Sequence, residues 1–407
     1  LAGASVKQMS PVADLFTKVA QRPPELNIIS PLYLEHRLAT LAKKEKDNVV
    51  AALVLGDVAD IGCGGEVEDF QAIADRGLKK LPWLAAHGNH DSYLAGTLND
   101  YIPVDSERWP PPQTDGSSVP VDESWWSDVP PSNSFAPNWR DVCYRWVDDA
   151  NGKKRRTGGA SKMRLPMHKG RWLAKYLKHL ERAPISAVKS SQNAVATDGG
   201  AFKISYTSNN LGSAGSLFVE GLYYRPEFSR TPSTSGQFAS SIYKSFIVQL
   251  LRVDGGTYVA VVDTSVCPSA KAGLAFPNTN AGTNPCVGSA QIEVLERLLL
   301  SHVPTNAKLL VAAHFPFASL KNEEQKELVQ VLGRQDKWEW ISAHTHSPFS
   351  KRSVDGVKDS NFGSTTDWPM ELALLNLVDG EVWVDSAVRK AVADYEYSPT
   401  RSGEHEV

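Results

Sequence analysis

The chain has 407 residues, 42% hydrophobic and 22% charged, with a formal net charge of −3. That length allows a substantial core, and the slightly acidic balance lacks the basic excess of a nucleic-acid binder. No apolar run reaches the roughly 18 residues of a membrane span, so no transmembrane segment is expected. The opening "LAGAS" lacks Met and is too short for a signal peptide, which reads as a processed or trimmed start.

In chain order, the first apolar stretch is Leu26-Asn27-Ile28-Ile29-Ser30, a short strand followed by the helical pattern "HRLATLAKKE" (36–45). "NVVAALVLGD" (48–57) is a buried strand running into Gly56-Asp57. The pattern of 68–81 predicts a helix, and "LPWLAAHGNHD" (81–91) a second strand ending at Gly88-Asn89-His90-Asp91. Residues 101–140 are rich in Pro, Ser and Trp without periodicity, and a basic patch "KKRRTGGASKMR" follows at 153–164. In 170–183, Trp172, Leu173, Tyr176, Leu177 and Leu180 fall on one helix face. Residues 196–240 are again rich in Gly, Ser and Thr.

Regular structure is expected to return at 240–265 as two strands around Asp254-Gly255-Gly256. A helix over 289–303 and strands at 307–317 and 337–347 follow, the strands ending at His314 and at His344-Thr345-His346. A hairpin over 371–385 closes the pattern. Strands alternating with helices indicate an α/β fold covered on both sheet faces. The division expected is a first core part (1–99), an insertion or cap (100–240), a second core part (241–390) and a tail (391–407). The insertion is expected to border the mouth of the site, with Trp109, Trp125, Trp126, Trp139 and Trp146 forming either a substrate wall or the insertion's own core.

Cys267 and Cys286 bracket a loop rich in Gly, Pro, Asn and Ala. They are either a disulfide, which suits an oxidising compartment, or two unrelated buried thiols. The possible disulfide and the missing Met favour export, secreted or periplasmic, with the cytoplasm as the alternative.

Polar residues gathered at the carboxyl ends of α/β strands are where such sheets build sites. Asp57, Asn89, His90, His314, His344 and His346 all stand there. Mixed imidazole, carboxylate and amide ligands without thiolate suit a borderline divalent ion: Mn, Fe, Zn or Ni, which the sequence does not distinguish.

The order "GDVAD", "GNHD", "AHFP", "AHTH" resembles the calcineurin-like metallophosphoesterases. "TYVAVVDTS" and "GSAQIEVLERLL" are similar to the segments that family places between its motifs, and the resemblance covers roughly 45–100 and 240–385. It implies a β-sandwich flanked by helices, carrying a large insertion or cap, and hydrolysis of phosphate mono- or diesters by a metal-activated hydroxide. Two divalent ions would clamp the displacement. By position, the resemblance implies that Asp57 bridges the metals, that Asn89, His314 and His344 complete the second site, and that His346 serves the first. It implies that His90 protonates the leaving alkoxide or binds the phosphate, with Asp60 or Asp91 orienting its imidazole.

The first metal motif departs from the family. "ISPLYLEH" (29–36) stands where a D-x-H is expected, putting Pro31 and Tyr33 at the ligand positions. Three readings stay open: a degenerate first site helped by Glu35 or His36, a true D-x-H upstream of Leu1, or an enzyme fold kept as a binding module. One or two metal ions are therefore expected. The substrate would be a phosphate ester of a small molecule, a phosphoprotein or a phospholipid headgroup. The alternative is a catalytically impaired relative that binds a phosphorylated ligand or a protein partner. Oligomeric state is not legible.

Overall fold

The computed structural model describes residues 34–36, 38–40, 49–59, 64–78, 81–91, 146–148, 154–156, 169–182, 201–208, 215–224, 245–253, 256–268, 283–345, 349–363, 373–375 and 382–384. Pro31, Tyr33, Asp60 and His346 lie outside them, as do the expected strand at 26–30 and Trp109, Trp125, Trp126 and Trp139.

The strands in chain order are β1 (Ala52–Val54), β2 (Trp83–Ala85), β3 (Trp146–Asp148), β4 (Lys154–Arg156), β5 (Ala201–Ser208), β6 (Ser216–Tyr224), β7 (Phe246–Val253), β8 (Thr257–Val261), β9 (Cys267–Pro268), β10 (Thr283–Asn284), β11 (Lys308–Ala312), β12 (Lys337–Ser342), β13 (Ser350–Val354), β14 (Val357–Asn361), β15 (Ala373–Leu375) and β16 (Val382–Val384). The longer helices are α1 (Gly64–Leu78), α2 (Lys169–Arg182), α3 (Ser289–His302) and α4 (Asn322–Leu332). The class is mixed α/β, as the alternating apolar patterns require.

An 8-stranded sheet in the order β13-β14-β12-β11-β8-β7-β6-β5 forms the centre. Its β14, β12, β11 and β8 run parallel, and the remaining pairs are antiparallel. β1 and β2 form a separate parallel pair, and β15 and β16 form the expected terminal hairpin.

Alternate residues of the central strands feed two cores. Ile247, Leu251, Val259, Val261, Leu310 and Ala312 pack with β2, α1 and α2. Val248, Leu250, Ala260, Leu309 and Val311 pack with α3 and α4 on the opposite face. Both faces are covered, which is why β8 and β11 are continuous apolar runs rather than alternating ones.

One helix and two strands from within 100–240, the segment expected as an insertion or cap, belong to this core. β5 and β6 extend the central sheet beyond β7. The α2 residues Trp172, Leu173, Tyr176 and Leu180 are buried in the first core. Here the amphipathic face seen in the sequence meets β2 and β7. The backbone of Ala85 lies on the edge of β2 away from β1, and its N–H donates to Tyr176 Oη at 2.7 Å. Tyr176 Oη donates to Gln249 Oε1 at 2.7 Å, and Gln249 Nε2 donates to Ala85 O at 2.9 Å. This closed ring satisfies a buried strand edge that, among the described residues, no further strand covers.

Cys267 and Cys286 form a disulfide. Cys286 also bridges to Ser265, so the crosslink is tied to the turn that follows β8.

Candidate metal centre

The carboxyl ends of β1, β2, β11 and β12 meet at one place. Gly56 and Asp57 turn the chain sharply after β1, with φ of 94° and 52°. A Cβ at Gly56 would lie 2.6 Å from His314 Nδ1, and one at Gly88 would lie 2.1 Å from Asp57 Oδ1. Both glycines of "GD" and "GNHD" are therefore required by close approach. His344 after β12 also has positive φ, 72°. Two non-glycine residues in the left-handed region within one site mark strain that the surrounding structure sustains.

Four side-chain atoms converge there. His314 Nε2 lies 2.8 Å from Asn89 Oδ1, 3.1 Å from His344 Nδ1 and 3.3 Å from Asp57 Oδ2. His344 Nδ1 is 3.0 Å from Asn89 Oδ1. The Nδ1 of His314 is 2.7 Å from the carbonyl oxygen of Leu55, which can only accept. Nδ1 therefore carries a hydrogen, and the Nε2 lone pair of the neutral ring points inward. Among the described residues, the buried Asp57 Oδ2 has no hydrogen-bond donor. A carboxylate oxygen, an amide oxygen and two imidazole nitrogens facing one point could together hold a cation.

The electrostatics agree. Burial opposes charge on Asp57, yet the imidazoles of His314 and His90 hold its carboxyl well below the usual range. Burial pushes His314 down, but Asp57 outweighs it and the net direction is up. Asp57, His314 and His344 bring their ligand atoms within 4.8 Å of one another. With Asn89 they make a donor set that fits a borderline divalent ion.

His90 is half-buried beside the cluster, and its backbone N–H donates to Asp57 Oδ1 at 2.9 Å. Asp91 is fully buried, and burial, reinforced by the Asp57 charge, pushes its carboxyl up to about 8. Each Asp91 oxygen accepts a backbone N–H, Oδ1 from Ala59 at 3.0 Å and Oδ2 from Gly88 at 2.9 Å. Asp91 thus staples the loop after β1 to the loop after β2. Asn361, at the end of β14, donates from Nδ2 to Thr345 Oγ1 at 2.7 Å and holds the turn that carries His344.

Some residues that build the site have no assignment from sequence. Asp263, after β8, accepts from the Ser265 N–H at 2.8 Å, and its own backbone is clasped by the Gln291 side chain at 2.8 and 2.6 Å. The segment "VVDTS" and the Gln of "GSAQ" are the available signals. His87 is buried, and burial with the nearby Lys169 charge pushes its pKa well below the usual imidazole value.

No protein-family model matches the chain, and no curated protein matches it.

Proposed function

We propose that the chain is a metal-dependent phosphoesterase of the calcineurin-like metallophosphoesterase kind, hydrolysing phosphate mono- or diesters. The observation that carries this reading is the convergence of Asp57 Oδ2, Asn89 Oδ1, His314 Nε2 and His344 Nδ1 at the strand ends. The order of the motifs that supply these residues supports the phosphoesterase class over other uses of a divalent ion. The fold implied by that kinship is a sandwich, in which β1 and β2 would belong to the layer facing the central sheet.

In this reading Asp57, Asn89, His314 and His344 would hold one divalent ion, and His346 with Asp57 would contribute to a second. Such ions supply Lewis acidity and a hydroxide nucleophile near neutral pH. The chain's own residues do the rest. The Leu55 carbonyl keeps the His314 proton on Nδ1, so Nε2 stays available as a ligand. Asp57 Oδ1 fixes the His90 backbone and so the place of its ring. His90 then supplies a proton to the leaving alkoxide as the phosphorus–oxygen bond breaks.

The test is metal content by elemental analysis of purified protein, with turnover of p-nitrophenyl phosphate and its bis-ester in Mn²⁺ or Zn²⁺. Bound metal with turnover of either ester is the expected result. Bound metal without turnover would favour the catalytically impaired alternative that binds a phosphorylated ligand or partner. Absence of both would remove the metal reading.

A further inference from the structure

Helix α2 runs along β2, and side chains spaced three or four residues apart on one helix face address successive positions of the strand and its loop. His179 stacks on Trp83 with centroids 3.7 Å apart, and Tyr176 binds Ala85. Trp172 meets the His87 ring edge to face at 4.9 Å. Lys169, at the helix start, has a fully buried side chain. Its Nζ lies 2.7 Å from Asp263 Oδ2 and donates to Ser265 O at 2.9 Å. Ser265 in turn reaches the backbone oxygen of His87 with its Oγ, at 3.4 Å. His87 is followed directly by Gly88, where Asp57 Oδ1 leaves no room for a Cβ, and then by Asn89.

We propose that Lys169 is a positioning residue that clamps the 263–265 turn against His87 and so holds Asn89 and His90 in register with His314. The cation is deep, paired and one loop removed from the ligand atoms. It neutralises the Asp263 carboxylate, whose other oxygen shapes the turn through the Ser265 N–H. Without Lys169, a buried carboxylate would have to take up a proton or open the turn to water, and either change releases His87. The site after β2 is therefore conditional on the docking of α2. The claim on metal affinity rests on the metal reading of Asn89; the claim on loop order does not.

The experiment compares wild type, Lys169→Met and the charge-balanced Lys169→Met/Asp263→Asn. The double variant carries the test if the single one does not fold. Hydrogen exchange of metal-free protein is followed in peptides spanning 83–91 and 308–312, and Mn²⁺ affinity is measured by calorimetry. In the variants, exchange at 83–91 should rise about tenfold or more while 308–312 keeps its protection. Mn²⁺ should bind about 10–100-fold more weakly, the range for residues that orient ligands from outside the coordination shell. Unchanged exchange at 83–91, or an equal rise in both segments, overturns the proposal. A wild type that takes up no Mn²⁺ overturns the metal reading and, with it, the affinity claim. The exchange result then judges the clamp by itself.

Discussion

His314 donates from Nδ1 to the carbonyl oxygen of Leu55 at 2.7 Å, and this single bond decides which ring nitrogen faces Asp57. Leu55 is the residue after β1, and its side chain has no part in the effect. The end of one strand thereby sets the tautomer of a histidine delivered by another.

That tautomer makes metal binding pH-dependent in a fixed direction. His314 has its pKa raised above the usual 6.5 by Asp57, against the effect of burial. In metal-free protein, the stability that the raised His314 contributes is complete below 6.5, as long as Asp57 stays ionised, and is lost as pH rises through the raised value. An ion must displace the proton, so affinity for Mn²⁺ or Zn²⁺ should climb as pH rises through the same interval. The rise in melting temperature on adding metal should therefore be larger at about pH 8 than at about pH 6. A metal-induced shift independent of pH would contradict the assignment of the Nε2 lone pair.

Asp57→Asn keeps the size of the side chain and a residue type that tolerates the 52° φ. Metal affinity and any esterase turnover should fall at least about 100-fold, while the far-ultraviolet dichroism of the protein stays unchanged. Retained turnover would show that the chemistry lies elsewhere.

Tyr176→Phe removes the hydroxyl that joins Ala85 to Gln249. Two buried groups lose a partner, so unfolding free energy should drop by about 1–3 kcal/mol. Urea denaturation reads this directly, and a drop well under that range would mean that another group or water takes the place of the hydroxyl.

The Cys267–Cys286 crosslink spans a sequence separation of 19. Replacing both cysteines with Ala should cost about 3 kcal/mol in the chain-entropy model. The same loss should follow reduction of the wild type, and denaturation with and without reductant provides the check.

Asn361→Ala should weaken Mn²⁺ binding about tenfold, because the turn bearing His344 loses its tie to β14. Calorimetry on the folded variant decides it, and an unchanged dissociation constant would leave Asn361 with a packing role alone.

Much of the candidate site is legible in the sequence because its residues follow uninterrupted apolar runs. "AALVLGD" and "KLLVAAH" each announce where an apolar strand must stop, half-buried in β1 and buried in β11, and the polar residue at that stop is the one placed in the site. The helical face of 170–183 is equally plain from its spacing. β5 is not legible in the same way. Lys203, Ser205 and Thr207 are exposed along it, so an edge strand reads as a polar stretch and its place in the sheet is invisible. The Lys169–Asp263 pair and the Tyr176–Ala85–Gln249 ring escape for another reason: each joins residues that only the tertiary fold brings together, and one partner in the ring is a backbone group without sequence identity.

The ring at Ala85 also has a consequence during synthesis. Gln249 follows Ala85 by 164 residues. At roughly 5–20 residues per second, a ribosome needs about 8 to 30 s to supply the second residue after the first. For that interval the Ala85 carbonyl on the outer edge of β2 lacks its Gln249 donor, although Tyr176, which accepts from the Ala85 N–H, is made earlier, and a neighbouring nascent chain can offer a donor of its own. Chaperone demand on this protein should therefore peak before residue 249 leaves the exit tunnel and ease once it has.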